Sequence, residues 1–99
     1  MTYSFHPEAE EELNLAVDYY DQCQVNLGRD FAEEVYRAIQ NILIFPDAWA
    51  SLSKNTRRCL VNRYPFGIIY QKKNANEVLI VAIMQLNRKP GYWQDRIRN

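Results

Sequence analysis

The sequence predicts an α+β fold in the order β-α-α-β-β-β, with an N-terminal helical hairpin packed on a small, mainly antiparallel sheet. Three observations predict it. Apolar residues recur at helical spacing from residue 9 to residue 45, and after residue 56 the pattern changes to a period of two and to continuous apolar runs. Gly28 and Pro46 punctuate the first stretch, and Pro65 and Asn74-Ala75-Asn76 punctuate the second. At 99 residues, 47% hydrophobic and 24% charged, the chain is sized for one domain, residues 1–99, with one thin core and no wholesale disorder.

Tyr3-Ser4-Phe5 alternates apolar and polar, as a short edge strand would. Pro7 suits the first position of a helix, where its missing N–H costs nothing. Glu8, Glu10, Glu11 and Glu12 follow in the first turns, where negative charge meets the positive end of the helix dipole. That position explains the acids without a metal or an acid–base site. Ala9, Leu13, Ala16, Tyr20 and Leu27 form one apolar face, broadened by Val17, and Gly28 is expected to end the helix. Asp30 with Glu33 resembles a capping box opening a second helix. Phe31, Val35, Ala38 or Ile39, Ile42 and Phe45 form its stripe, and Pro46 stops it. Tyr19, Tyr20 and Tyr36 are expected as partly buried packing residues of this hairpin.

Residues 47–55 read as a loop, with Trp49 and Leu52 tucking back onto the core. Residues 57–62, 66–72 and 78–84 are β-rich runs joined by short turns, so consecutive strands pair antiparallel. The run Val78 to Met84 is apolar throughout and is expected as the central strand, covered on both faces. Pro90-Gly91 then releases a tail holding Tyr92, Trp93, Arg96 and Arg98.

The net charge of zero hides a division. Residues 1–53 carry ten acids and two bases, and residues 54–99 carry ten bases and two acids, so the halves stand at −8 and +8. Either the halves neutralise each other across the fold, or the second meets an anionic partner, nucleic acid or acidic protein.

Much chemistry is excluded. Gly28, Gly67 and Gly91 stand alone, so there is no phosphate-binding glycine loop. The single histidine, His6, sits at a helix start and reads as a cap or surface residue, and no Ser/His/Asp or Cys/His set forms around it. Cys23 and Cys59 are spaced neither as a disulfide framework nor as metal ligands. They read as small buried thiols of a reducing, cytoplasmic setting, and no apolar run reaches membrane-span length. No metal and no cofactor is expected. What remains is cationic: Arg57, Arg58 and Arg63 around the first sheet hairpin, Arg88 and Lys89 after the last strand, and Arg96 beside Tyr92 and Trp93. Such a set suits phosphate contacts with base stacking, metal-free phosphoryl transfer with Tyr92 as proton carrier, or capture of carboxylates on a protein.

The segments Tyr3-Ser4-Phe5-His6-Pro7-Glu8-Ala9, Asp18-Tyr19-Tyr20, Leu27-Gly28-Arg29-Asp30-Phe31, Pro65-Phe66-Gly67-Ile68-Ile69-Tyr70 and Arg88-Lys89-Pro90-Gly91-Tyr92-Trp93 come in this order. Together they resemble the RelE/ParE toxin superfamily over nearly the whole chain. The resemblance implies the toxin of a type II toxin–antitoxin pair, neutralised by a cognate antitoxin protein. One branch cuts messenger RNA in the ribosome; the other inhibits DNA gyrase. Arg58, Arg88 and Tyr92 match the basic and tyrosine positions of the nuclease branch. Gly67 and Leu60, however, stand where that branch places bases, and Met84-Gln85 where a histidine is frequent. These departures lean the chain to the ParE-like branch, a gyrase inhibitor rather than an enzyme. The alternatives are a metal-independent endoribonuclease and a non-toxic, antitoxin-binding remnant. The target-binding set implied is Arg58, Arg63, Arg88, Lys89, Tyr92, Trp93 and Arg96.

Overall fold

A computed structural model describes residues 1–97, so the Arg98 of the tail lies outside the described residues. The elements run β1 (Thr2–Phe5), α1 (Pro7–Cys23), α2 (Leu27–Ile44), β2 (Ala50–Ser51), β3 (Thr56–Leu60), β4 (Phe66–Asn74) and β5 (Glu77–Gln85), then a short 3-10 turn, Gln94–Arg96. They form a helical hairpin on one face of a five-stranded sheet ordered β1-β5-β4-β3-β2. All neighbours are antiparallel except β1, which lies parallel to β5 with Thr2 opposite Glu77 and Phe5 opposite Ile80.

The helix starts follow from local chemistry. His6 Nδ1 accepts the Glu8 amide hydrogen at 3.1 Å, so the histidine is the N-cap of α1 and Pro7 its first residue. The hairpin turn corrects the sequence reading. α1 ends at Cys23 rather than at Gly28, Asn26 takes the left-handed conformation (φ 67°), and Leu27 and Gly28 already belong to α2. Gly28 is a contact residue, not a stop signal. A Cβ there would strike the Val17 carbonyl and lie 2.6 Å from the Asp21 carboxylate, which accepts the Gly28 amide hydrogen at 2.9 Å. Asp30 therefore falls inside the first turn of α2 instead of capping it.

The apolar face of β5 divides into two. Val78, Ile80 and Ile83 meet the helices in the main core with Phe31, Val35, Ile39, Ile42 and Tyr70. Leu79, Val81, Ala82 and Met84 meet the tail residues Tyr92, Trp93 and Ile97. The alternation reverses because Ile69 pairs with Ala82 while Tyr70 pairs with Ile80, leaving Val81 bulged. Both faces of β5 are covered, as its unbroken apolar run requires. Cys59 is buried, and that burial pushes its thiol up to about 11. Five expectations fail on exposure: Cys23, Tyr19, Tyr36, Phe45 and Leu52 face solvent, though Trp49 does pack on the core. The two-residue β2 lies inside the expected loop.

Candidate functional site

β1 is only four residues long, so β5 loses its neighbour after Ile80, and among the described residues its outer edge from Val81 to Gln85 has no strand beside it. Side chains finish that edge. Glu12, on the turn of α1 that crosses it, accepts the Ile83 amide hydrogen at 3.0 Å, and Arg96 Nη1 donates to the Val81 carbonyl at 3.0 Å. The two side chains also pair with each other through both carboxylate oxygens, at 2.8 and 2.9 Å. Tyr92 donates its hydroxyl to Glu12 at 2.7 Å. The Arg88 and Arg96 guanidinium carbons sit over the Tyr92 ring at 3.8 and 5.1 Å, and Arg88 reaches Glu12 at 3.6 Å.

Electrostatics follow from this geometry. Burial pushes the Glu12 carboxyl up, but the hydrogen bonds from Arg96, Tyr92 and the Ile83 amide together outweigh it and hold the group below the usual carboxylate range. Burial, reinforced by the bond to Glu12, raises the Tyr92 phenol well above its ordinary value. At neutral pH the phenol is a committed donor to a carboxylate.

Beside this cluster, α1 and the open edge of β5 bound a groove of about 410 Å³, lined by Leu15, Ala16, Tyr19, Tyr20, Phe66, Ile83, Gln85 and Arg88. Leu15 and Tyr19, one turn apart on α1, are 61% and 62% exposed, so the groove carries uncovered apolar surface with Arg88 and Glu12 at one end.

The remaining candidates spread over the molecule. Arg58 lies on the tail face of the sheet, lining a cleft of about 260 Å³ with Leu52, Met84, Pro90, Gly91, Trp93 and Gln94. It has no ion-pair partner among the described residues. Its stem crosses Gly67, where a Cβ would come within 2.9 Å of the Arg58 Cδ. Glycine at 67 thus makes room for the arginine at 58. Lys89 is exposed in the turn after β5. Trp93 is buried against the sheet, and the Arg96 side chain is only 9% exposed. Arg63 stands apart, in a left-handed backbone conformation (φ 70°), paired with Asp30 at 2.8 Å and with the buried Glu34 at 2.6 Å. Tyr64 and Arg63, both donating to Asp30, hold that carboxyl below its ordinary range.

The structure therefore brings Arg88, Tyr92 and Arg96 together around Glu12, places Arg58 and Trp93 along one cleft, and ties Arg63 to α2. Sequence reasoning missed the part played by Glu12, which it grouped with the dipole-complementing acids. The available signal was spacing: Glu12 lies three residues after Ala9 and four before Ala16, on the buried side of α1. The cross-fold pairs Glu12–Arg96, Asp30–Arg63, Glu34–Arg63 and Asp47–Lys72 show the halves neutralising each other in part. Lys54, Arg58, Lys73 and Lys89 keep no acid partner among the described residues.

No group of metal-binding side chains occurs among the described residues, and none of their helices is long and apolar enough to cross a membrane. No curated protein sequence matches the chain. A solved structure described as the chromosomal ParDE TA system from P. aeruginosa has the same fold, with a TM-score of 0.72 at 16% identity, covering 88% of this chain and 97% of that one. The family model described as ParE toxin of type II toxin-antitoxin system, parDE, matches residues 3–90. With that match running from β1 past β5, the chain belongs to the ParE toxin family of type II toxin–antitoxin systems.

Proposed function

We propose that this toxin acts by binding DNA gyrase rather than by cutting messenger RNA, and that a cognate antitoxin neutralises it. The observation that carries the reading is the state of Tyr92. A ribonuclease of this fold would need that phenol to move a proton, yet its hydroxyl is spent on Glu12 and its acidity is weakened. Gly67 supports the same choice, since a second strand base there would collide with Arg58. The target-binding set is then Arg58, Arg88 and Lys89 as contact residues, Tyr92, Trp93 and Arg96 as the packing that fixes them, and Arg63 as an outlying contact.

The antitoxin occupies the groove between α1 and β5 in this reading. Leu15 and Tyr19 offer apolar anchors, the edge of β5 offers main-chain groups, and Arg88 favours an acidic partner. The ParDE description of the structural neighbour supports an antitoxin partner. Purified toxin is tested with gyrase and plasmid DNA, and separately with programmed ribosomes. Gyrase inhibition with messages left intact supports the proposal. Codon-positioned cuts that vanish in Tyr92→Phe overturn it in favour of the endoribonuclease, and silence in both assays favours the antitoxin-binding remnant.

A further inference from the structure

At the end of the sheet away from Arg63, the loop leaving α2 and the β2–β3 connection enclose a polar recess of about 160 Å³. We propose that this recess binds a phosphate of a nucleic-acid backbone, with Lys54, Arg57 and Lys72 as its cationic walls.

Arg57 is the organised member. Its Nη1 donates to the Trp49 carbonyl at 2.8 Å, which fixes the guanidinium while leaving its other N–H groups without an acceptor among the described residues. Ser53 and Thr56, both lining the recess, share a hydroxyl–hydroxyl bond of 2.6 Å, so whichever of the two accepts keeps its own hydrogen for a further partner. Lys54 has no acid partner among the described residues. Among the described residues Asp47 is the one acid lining the recess; it lies 3.6 Å from the Lys72 ammonium and its side chain is 68% exposed, so the three cations outnumber it. Around the end of the sheet, Asn55 and Lys72 also line a second concavity with Gln71 and Lys73, which continues the positive surface.

The composition favours phosphate over a protein carboxylate. Protein interfaces close around an apolar core, whereas this recess is walled by ammonium, guanidinium, hydroxyl and amide groups. It also favours backbone over base. Among the described residues lining the recess the one aromatic ring, Tyr70, is buried and gives its hydroxyl to the Pro46 carbonyl, so it cannot stack on an unpaired base. The site lies away from Glu12 and Tyr92 and does not rest on the gyrase reading.

The test titrates the full-length, isotope-labelled protein with a short random-sequence DNA duplex at low salt, with no topoisomerase present, and separately with inorganic phosphate. Amide shifts are expected at Asn55, Thr56, Arg57 and Lys72. The double variant Lys54→Gln/Lys72→Gln should weaken duplex binding about tenfold and reduce the slope of log K against log salt by about 2, one unit per lost phosphate contact. Arg29→Gln, which removes a positive charge on α2 away from the recess, should leave both unchanged, and unaltered melting of the double variant excludes misfolding. Saturable shifts with inorganic phosphate but none with the duplex would overturn the backbone assignment in favour of a free anion. Duplex shifts confined to Arg58, Arg88 and Lys89, or duplex affinity indifferent to the double variant, would overturn the site. So would a double variant that loses a protein partner while keeping the duplex.

Discussion

The carboxylate of Glu12 takes the place of a missing strand residue for Ile83, accepting its amide hydrogen at 3.0 Å where β1 has already ended. One side chain thereby satisfies a sheet edge, neutralises the partly buried Arg96 and holds the Tyr92 hydroxyl. Removing it leaves a buried cation and an orphan amide together. Glu12→Ala should cost about 3–5 kcal/mol in urea unfolding, the range for breaking a buried pair. Glu12→Gln should cost less, since an amide oxygen still accepts from Ile83. The depressed Glu12 pKa also sets a pH window. Its stabilisation is complete above an unfolded value of roughly 4.3 and disappears as pH falls through the lower folded value. Acid unfolding of Glu12→Gln should therefore be shallower than that of the parent in that window.

Gly28→Ala tests the close approach of the helices. Alanine ordinarily favours a helix by about 1 kcal/mol over glycine. Here the added carbon meets the Val17 carbonyl and the Asp21 carboxylate, so the helices must part. The expected result is a net loss of about 1–3 kcal/mol, the usual cost of overpacking, read from the denaturation midpoint.

Tyr92→Phe keeps the ring beneath Arg88 and deletes one hydroxyl. Stability should drop by about 1.5–3 kcal/mol, the worth of a hydrogen bond to a charged group. Gyrase inhibition should change only mildly at a temperature where the variant is folded. A loss of activity of about 10²-fold or more would instead be the mark of a proton carrier.

Gly67→Ala addresses Arg58 without touching its charge. The new carbon should push the arginine stem off β4, with little effect on melting because the neighbour it meets is a side chain rather than backbone. Target affinity should fall by several-fold, and Arg58→Lys in the parent should mimic the loss. Unchanged affinity in both variants would remove Arg58 from the contact set.

Alkaline titration should split the seven tyrosines. Burial, with the Asp30 bond at Tyr64, pushes Tyr64 and Tyr70 up to about 12, and Tyr92 higher still. Ultraviolet phenolate absorbance should show a late-ionising class. The stabilisation tied to these neutral phenols is full below a pH of about 10 and is lost as pH rises through about 12, so unfolding and late ionisation should coincide.

The element order and the two-faced burial of β5 were legible because a change of hydrophobic period is a local signal, readable within each segment. The hairpin turn was misplaced because Gly28 at the end of an apolar stripe looks the same whether it ends one helix or lets two helices touch. The site was legible only in part. Arg88 and Tyr92 announce themselves as a basic–aromatic pair, but Glu12 and Arg96 acquire their meaning from each other across most of the chain. Nothing in the neighbours of Arg96 distinguishes a buried arginine from a tail arginine in solvent. The bulge at Val81, which aims two consecutive residues at the tail, is invisible in a run where every residue is apolar.

The parallel pairing of β1 with β5 joins the first strand made to the last among the described residues. During synthesis the helical hairpin emerges early, with Phe31, Val35 and Ile39 still lacking the strands that cover them. Contacts this distant in sequence slow folding, because the loop must close before they stabilise anything. The toxin is thus a late-maturing molecule: a chain stopped short of β5 holds its hairpin over β2, β3 and β4 alone, without Val78, Ile80 and Ile83 to close the core, and β1 has no strand to pair with.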